Sequence, residues 1–186
     1  MKKPIITTIL LFLYTFRGVG QGLPDFPLNP IPPGSWEYNE ATWRSIDDVV
    51  FNPSTGEKIS EKGGEAGFVS LQAGSSIVST VATQDAKVKF QFNVSTQSSV
   101  LFYLMGKYPI RLTSLDMPQA SGAILVQDNQ TILPTEQAAK APGLWQTCEI
   151  IFSAPEKADG IARIEKVILN GRIVQQNVFV KGVAPK

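Results

Sequence analysis

The sequence predicts an all-β chain, folded as a sandwich or a barrel, from three observations. Short runs of β-branched and aromatic residues recur from Trp36 onward, turn-forming residues separate them, and no long segment repeats its apolar residues at helical spacing.

Taken in order, the candidate strands begin with residues 46–52, 67–72 and 76–81. Residues 87–94 give the cleanest pattern. Val88, Phe90, Phe92 and Val94 share one face, while Lys87, Lys89, Gln91 and Asn93 take the other. A period of two means that one side packs and the other meets water or ligand. Residues 99–105, 108–112, 122–127 and 145–153 follow. A closing pair, 161–169 and 172–180, is joined at Asn170-Gly171, a dipeptide that accepts the positive φ angles of a tight hairpin turn. Only residues 135–140 have helical character, and Pro134 and Pro142 confine them to a connecting turn.

Three segments are expected: a signal peptide over residues 1–20, a proline-rich lead-in over 21–35, and one folded domain over 36–186. Lys2 and Lys3 precede an apolar run at 5–16 that ends in small residues, which is the order of a cleaved leader, with cleavage near Gly20 or Gly22. The run is shorter than the roughly 20 residues needed to span a bilayer. No cysteine stands near the cleavage point to take a lipid, so the expectation is a soluble, secreted or periplasmic domain. Pro24, Pro27, Pro30, Pro32 and Pro33 prevent regular strand pairing in the lead-in.

Of the 17 basic residues, Lys2, Lys3 and Arg17 leave with the leader, so 14 face 16 acidic ones in the mature chain. A charge so close to balance suits neither a nucleic-acid backbone nor an anionic membrane surface. The chain has no histidine. Zinc-hydrolase motifs and Ser-His-Asp chemistry, which need imidazole as ligand or base, are thereby excluded. The single cysteine, Cys148, cannot close an internal disulfide and reads as a small buried strand residue.

The last third resembles the 3-keto-disaccharide hydrolase domain family, secreted bacterial jelly rolls related in fold to concanavalin A-like lectins and glucanases. The likeness lies in the segment Ala141-Pro142-Gly143-Leu144-Trp145-Gln146-Thr147-Cys148-Glu149-Ile150-Ile151-Phe152-Ser153-Ala154-Pro155 and in the closing hairpin at Leu169-Asn170-Gly171. It extends upstream to Leu104-Met105-Gly106-Lys107-Tyr108 and Gly122-Ala123-Ile124. The resemblance implies a jelly-roll β-sandwich of two antiparallel sheets and an activity on glycosidic bonds of (3-keto-)disaccharides. Where the family continues Glu-x-Gln-x-x-Asp along a ligand-facing strand, this chain has Pro109, Arg111 and Ser114. Two carboxylates and an amide have become a proline, a cation and a hydroxyl.

Glycoside hydrolysis by acid and base needs two carboxyl groups about 5 Å apart for retention, or roughly 6.5 to 9.5 Å apart for inversion. Asp116, Asp128 and Glu149, near strand ends or on the strand after Trp145, are the candidates. Sugar binding needs a ring to cover a pyranose face and polar groups for its hydroxyls. Trp36, Trp43, Tyr103, Tyr108 and Trp145 offer rings. Trp145 reads as a core residue, and Trp43, beside Asn39, Glu40 and Arg44, reads as a ligand platform. Arg111 takes a position that the resemblance makes ligand-facing, where its guanidinium can clasp a carboxylate or a hydroxyl pair. Lys107, Gln127 and Asn129 join it if the strands of Tyr108 and Gly122 are neighbours. No metal-ligand set is evident, although an oxygen-only calcium site is compatible with the absence of histidine. Two readings follow, an enzyme acting on a carbohydrate ligand and a binding module on the same scaffold. Nothing in the pattern sets an oligomeric state.

Overall fold

A computed structural model describes residues 36–52, 54, 58–80, 84–117, 120–157 and 160–183, together with the backbone of residues 9–13. The strands are β1 (Ile9–Leu13), β2 (Trp36–Tyr38), β3 (Trp43–Phe51), β4 (Lys58–Ser70), β5 (Ile77–Ser79), β6 (Ala86–Val94) and β7 (Ser99–Leu104). They continue with β8 (Tyr108–Thr113), β9 (Ala123–Leu125), β10 (Thr131–Ile132), β11 (Gln146–Ser153), β12 (Ile161–Leu169) and β13 (Arg172–Lys181). A 3-10 turn over Gln127–Asn129 separates β9 from β10.

The expected all-β sandwich of antiparallel sheets is present. Seven strands form one sheet in the order β13-β12-β11-β6-β1-β4-β3, four form a second in the order β10-β9-β8-β7, and β2 pairs with β5 as a separate ribbon. The Asn170-Gly171 hairpin forms as expected, with Asn170 at φ 52° and Gly171 at φ 84°, inside the left-handed region that this dipeptide tolerates. A second tight turn links β7 to β8. Met105 and Gly106 both take positive φ there, and the Lys107 amide donates to the Leu104 carbonyl at 3.0 Å.

Elements differ from the sequence pattern where pairing extends a strand beyond its apolar run. β4 starts at Lys58, well before residue 67, because its polar and glycine-containing first half is held by β3 across register shifts at Ile46. β2 and β10 are two or three residues long and exist through their pairing with β5 and β9. The apolar run expected to act as a leader contributes β1, which pairs antiparallel with both β4 and β6. Residues 135–140 form no helix and connect β10 to β11 as irregular chain.

The main core lies between the two large sheets. Phe90, Phe92, Ile150, Phe152, Ile164 and Val167 face Leu104, Ile110, Leu112 and Ile124 across it. Phe90 and Phe102 stack across the interface with ring centroids 4.7 Å apart. Gln146 adds a buried polar tie: its Nε2 donates to the Thr113 carbonyl at 3.1 Å, and its Oε1 accepts from the Lys140 amide at 3.0 Å. The end of β8 is thereby fixed to the start of β11, which holds the smaller sheet in place over the larger one.

Candidate functional site

The outer face of the four-stranded sheet carries Tyr103 and Arg111 as its more exposed polar side chains, while Pro109, Thr113 and Ala123 of the same face are buried. Val100, Phe102 and Leu104 of β7, and Ile110 and Leu112 of β8, belong to the main core or pack on it. By the two-residue period of a strand, Leu101, Tyr103, Pro109 and Arg111 point the other way. The register sets Leu101 opposite Arg111 and Tyr103 opposite Pro109. Tyr103 and Arg111 are therefore diagonal neighbours, a relationship that places such positions roughly 7 to 8 Å apart, within reach of a ring and a long side chain. On the far side of β8, Arg111 pairs with Ala123 of β9. The strands of Tyr108 and Gly122 are thus adjacent, as the expected polar cluster required.

Leu101 and Tyr103 are each 39% exposed, while Arg111 is half-buried. The three other described arginines have polar partners: Arg44 pairs with Glu61, Arg163 bonds Asn177, and Arg172 pairs with Glu136. The Arg111 side chain makes no hydrogen bond or ion pair with any described residue, while its backbone carbonyl accepts from the Gly122 amide at 2.7 Å.

Beside this face, at the β7–β8 turn, an open cleft of about 410 Å³ is lined by Asp85, Met105, Lys107, Tyr108, Glu156 and Lys157, among others. Asp85 is fixed by the Ala154 amide, which donates to its Oδ1 at 2.7 Å. The cleft acids were not legible in the sequence. They lie just before β6 and just after β11, and carry no motif that announces their meeting.

The other predicted site residues scatter. Trp43 is no ligand platform: it is only 4% exposed and packs with Phe68, Trp36, Tyr38 and Ile77 under the β2–β5 ribbon. Tyr108 likewise offers no open ring, because it points inward, 2% exposed, with its centroid 5.2 Å from that of Phe152. Lys107 sits in the turn, and its carbonyl accepts from the Val183 amide at 2.8 Å. Gln127 donates to the Gly182 carbonyl at 3.1 Å, so the chain after β13 lies between these two expected polar groups. Asn129 lies in the 3-10 turn, and its side chain falls outside the described residues. Trp145 packs, partly buried, against Ile46, Val49, Phe51 and Val69.

The three candidate acids do not converge on one bond. Asp116 accepts from the Ser114 hydroxyl and from the Gln97 amide at 3.0 Å, which makes it the cap of the turn between β6 and β7. Glu149 points away from the core on the larger sheet, with Lys87 at 3.1 Å and Lys89 at 3.8 Å. Asp128 is exposed in the 3-10 turn with φ 59°. Glu149 and Arg111 therefore stand on opposite outer faces of the sandwich. Cys148 is fully buried, and burial, with the neighbouring Glu149 charge adding to it, pushes its thiol well above the ordinary range. No group of three or more acidic or cysteine side chains able to hold a metal occurs among the described residues.

The model of the 3-keto-alpha-glucoside-1,2-lyase-like domain family matches residues 34–185, and the chain belongs to that family. No curated protein and no solved structure matches the chain.

Proposed function

We propose that this member of the 3-keto-alpha-glucoside-1,2-lyase-like domain family engages a saccharide on the outer face of its four-stranded sheet. The observation that carries the reading is the shared face of Tyr103 and Arg111. An exposed tyrosine ring covers the apolar face of a pyranose, and a guanidinium with unused donors bonds its oxygens. Acid-base hydrolysis by Asp116 and Glu149 acting as a pair does not fit, because each is engaged structurally and they occupy separate places on the sandwich.

Family membership supports a second reading, in which the domain also cleaves its ligand. A ketone at C3 of a glucoside makes the proton on C2 removable. A base takes that proton, the electron pair of the C–H bond forms the C1–C2 double bond, and the C1–oxygen bond breaks with its electrons on the departing oxygen, which takes up a proton from the protonated base or from water. This elimination needs one base and a donor for the developing oxyanion, not two paired carboxylates. Arg111 is the donor that the outer face offers.

One experiment separates the two. Purified protein is titrated with disaccharides and their 3-keto forms while release of the two halves is followed. Saturable binding weakened by Tyr103→Ala, without release, supports the binding module. Release lost in Arg111→Gln supports the lyase reading. Neither binding nor release would remove both.

Export belongs to the same proposal, supported by Lys2, Lys3 and the apolar run at 5–16. The intact mass of the protein recovered from outside the cytoplasm tests it. A chain beginning near residue 21 or 23 supports a cleaved leader. A chain retaining Met1 sinks cleavage and keeps β1 between β4 and β6.

A further inference from the structure

We propose that the saccharide bound at Tyr103 and Arg111 carries a carboxylate, as a uronic acid does, and that Arg111 reads it. The proposal rests on the saccharide-binding reading above. Arg111 emerges between Leu101 on one side and Ala123 on the other, with Tyr103 on its diagonal. Arg111 is half-buried as a residue among apolar neighbours, and no partner for its guanidinium occurs among the described residues, so the site favours an anionic group from outside. No outward-pointing residue of β7, β8 or β9 is acidic, so the sheet itself supplies none. Arg44 and Arg172, by contrast, are each held by a glutamate.

The chemistry of the missing partner follows from the group. A guanidinium is a planar fork that matches a carboxylate with two parallel hydrogen bonds, and it keeps its charge at any accessible pH. The tyrosine ring beside it covers a flat apolar surface of similar extent to a pyranose face. A carboxylate attached to a sugar ring satisfies both at once. A neutral sugar satisfies only the ring.

The test is calorimetric titration with galacturonate, glucuronate and mannuronate oligosaccharides, each beside the same oligosaccharide with its carboxyl groups reduced to alcohols. The expected result is tighter binding of at least one acidic form, on the order of tenfold or more over its reduced counterpart. Salt weakens that preference, Arg111→Gln brings the two affinities together, and Arg111→Lys keeps part of the difference because charge survives while the fork is lost. A circular-dichroism melt checks that both variants fold; if the glutamine variant does not, the lysine variant and the salt dependence decide. Equal affinity for acidic and reduced forms across the panel overturns the carboxylate while leaving saccharide binding in place. Preference for sulfated neutral sugars over every uronate also overturns it. Absence of binding to any member of the panel, joined to no binding of the neutral disaccharides, removes the underlying reading as well.

Discussion

Phe90 of the larger sheet and Phe102 of the smaller one stack across the sandwich, with centroids 4.7 Å apart and planes inclined by 23°. The contact joins a strand of each sheet near the middle of the core. Phe90 is fully buried and also lies 6.2 Å from Phe92. Phe90→Ala is expected to lower unfolding stability by about 3 to 5 kcal/mol, combining lost burial with the cavity left behind. Denaturant titration checks it. A loss below about 1 kcal/mol would mean that the two sheets are held by other contacts.

Asn170 does more than accept a positive φ angle. Its Oδ1 receives the Thr147 amide at 2.9 Å, and its Nδ2 donates to the Ala138 carbonyl at 2.8 Å. Asn170→Gly preserves the turn and removes these bonds, so a loss of roughly 1 to 3 kcal/mol is expected in the same measurement. Asn170→Asp keeps the acceptor only and should fall between. If the glycine variant matches the parent, the side-chain bonds contribute nothing and the turn alone matters.

Asp116→Asn and Glu149→Gln are expected to change stability modestly and leave any cleavage of 3-keto substrates intact. Asp116 caps a turn and Glu149 bridges two lysines. The Glu149 side chain is 18% exposed against 39% and 31% for its partners, so its pairs lie toward the surface, where they contribute less than about 1 kcal/mol. Turnover abolished in either folded variant would restore that acid to the chemistry.

Glu61 makes the β3–β4 hairpin sensitive to acid. A hydrogen bond from Lys58 is the leading cause holding its carboxyl below the ordinary value, with the Arg44 guanidinium adding to it against the opposing effect of burial. The lowered value means that the charged form stabilises the fold above the unfolded-chain value of about 4.3. That contribution is lost as pH falls from there through the folded value. Glu61→Gln should therefore lower stability near neutral pH by less than about 1 kcal/mol and flatten the acid limb below about pH 4.3, measured by thermal melts across pH. An unchanged limb would assign acid sensitivity to other carboxylates.

The alternation at 87–94 identified both faces of β6, and the Asn170-Gly171 pair identified the last hairpin, because strand period and turn chemistry are properties of neighbouring residues. The outward positions of Tyr103 and Arg111 follow from the same local alternation with Phe102, Ile110 and Leu112. The match of β8 to β9 was legible only through resemblance.

Which rings meet solvent was not a local property. Trp43 stands among polar neighbours in sequence, yet the β2–β5 ribbon buries it. Tyr108 belongs to the same strand as Arg111 and faces the other way, onto Phe152 from a distant part of the chain. Glu149 finds Lys87 and Lys89 only because β11 lies against β6. Local pattern by itself determined the strands with a clear apolar alternation, such as β6, and the last hairpin, whereas β1, β2, β10 and the first half of β4 exist through their pairing. Tertiary structure alone decided which acids are held by partners, which aromatics are covered and that the Arg111 side chain is left without a counterion among the described residues, because burial and pairing depend on residues far apart in sequence that packing brings together.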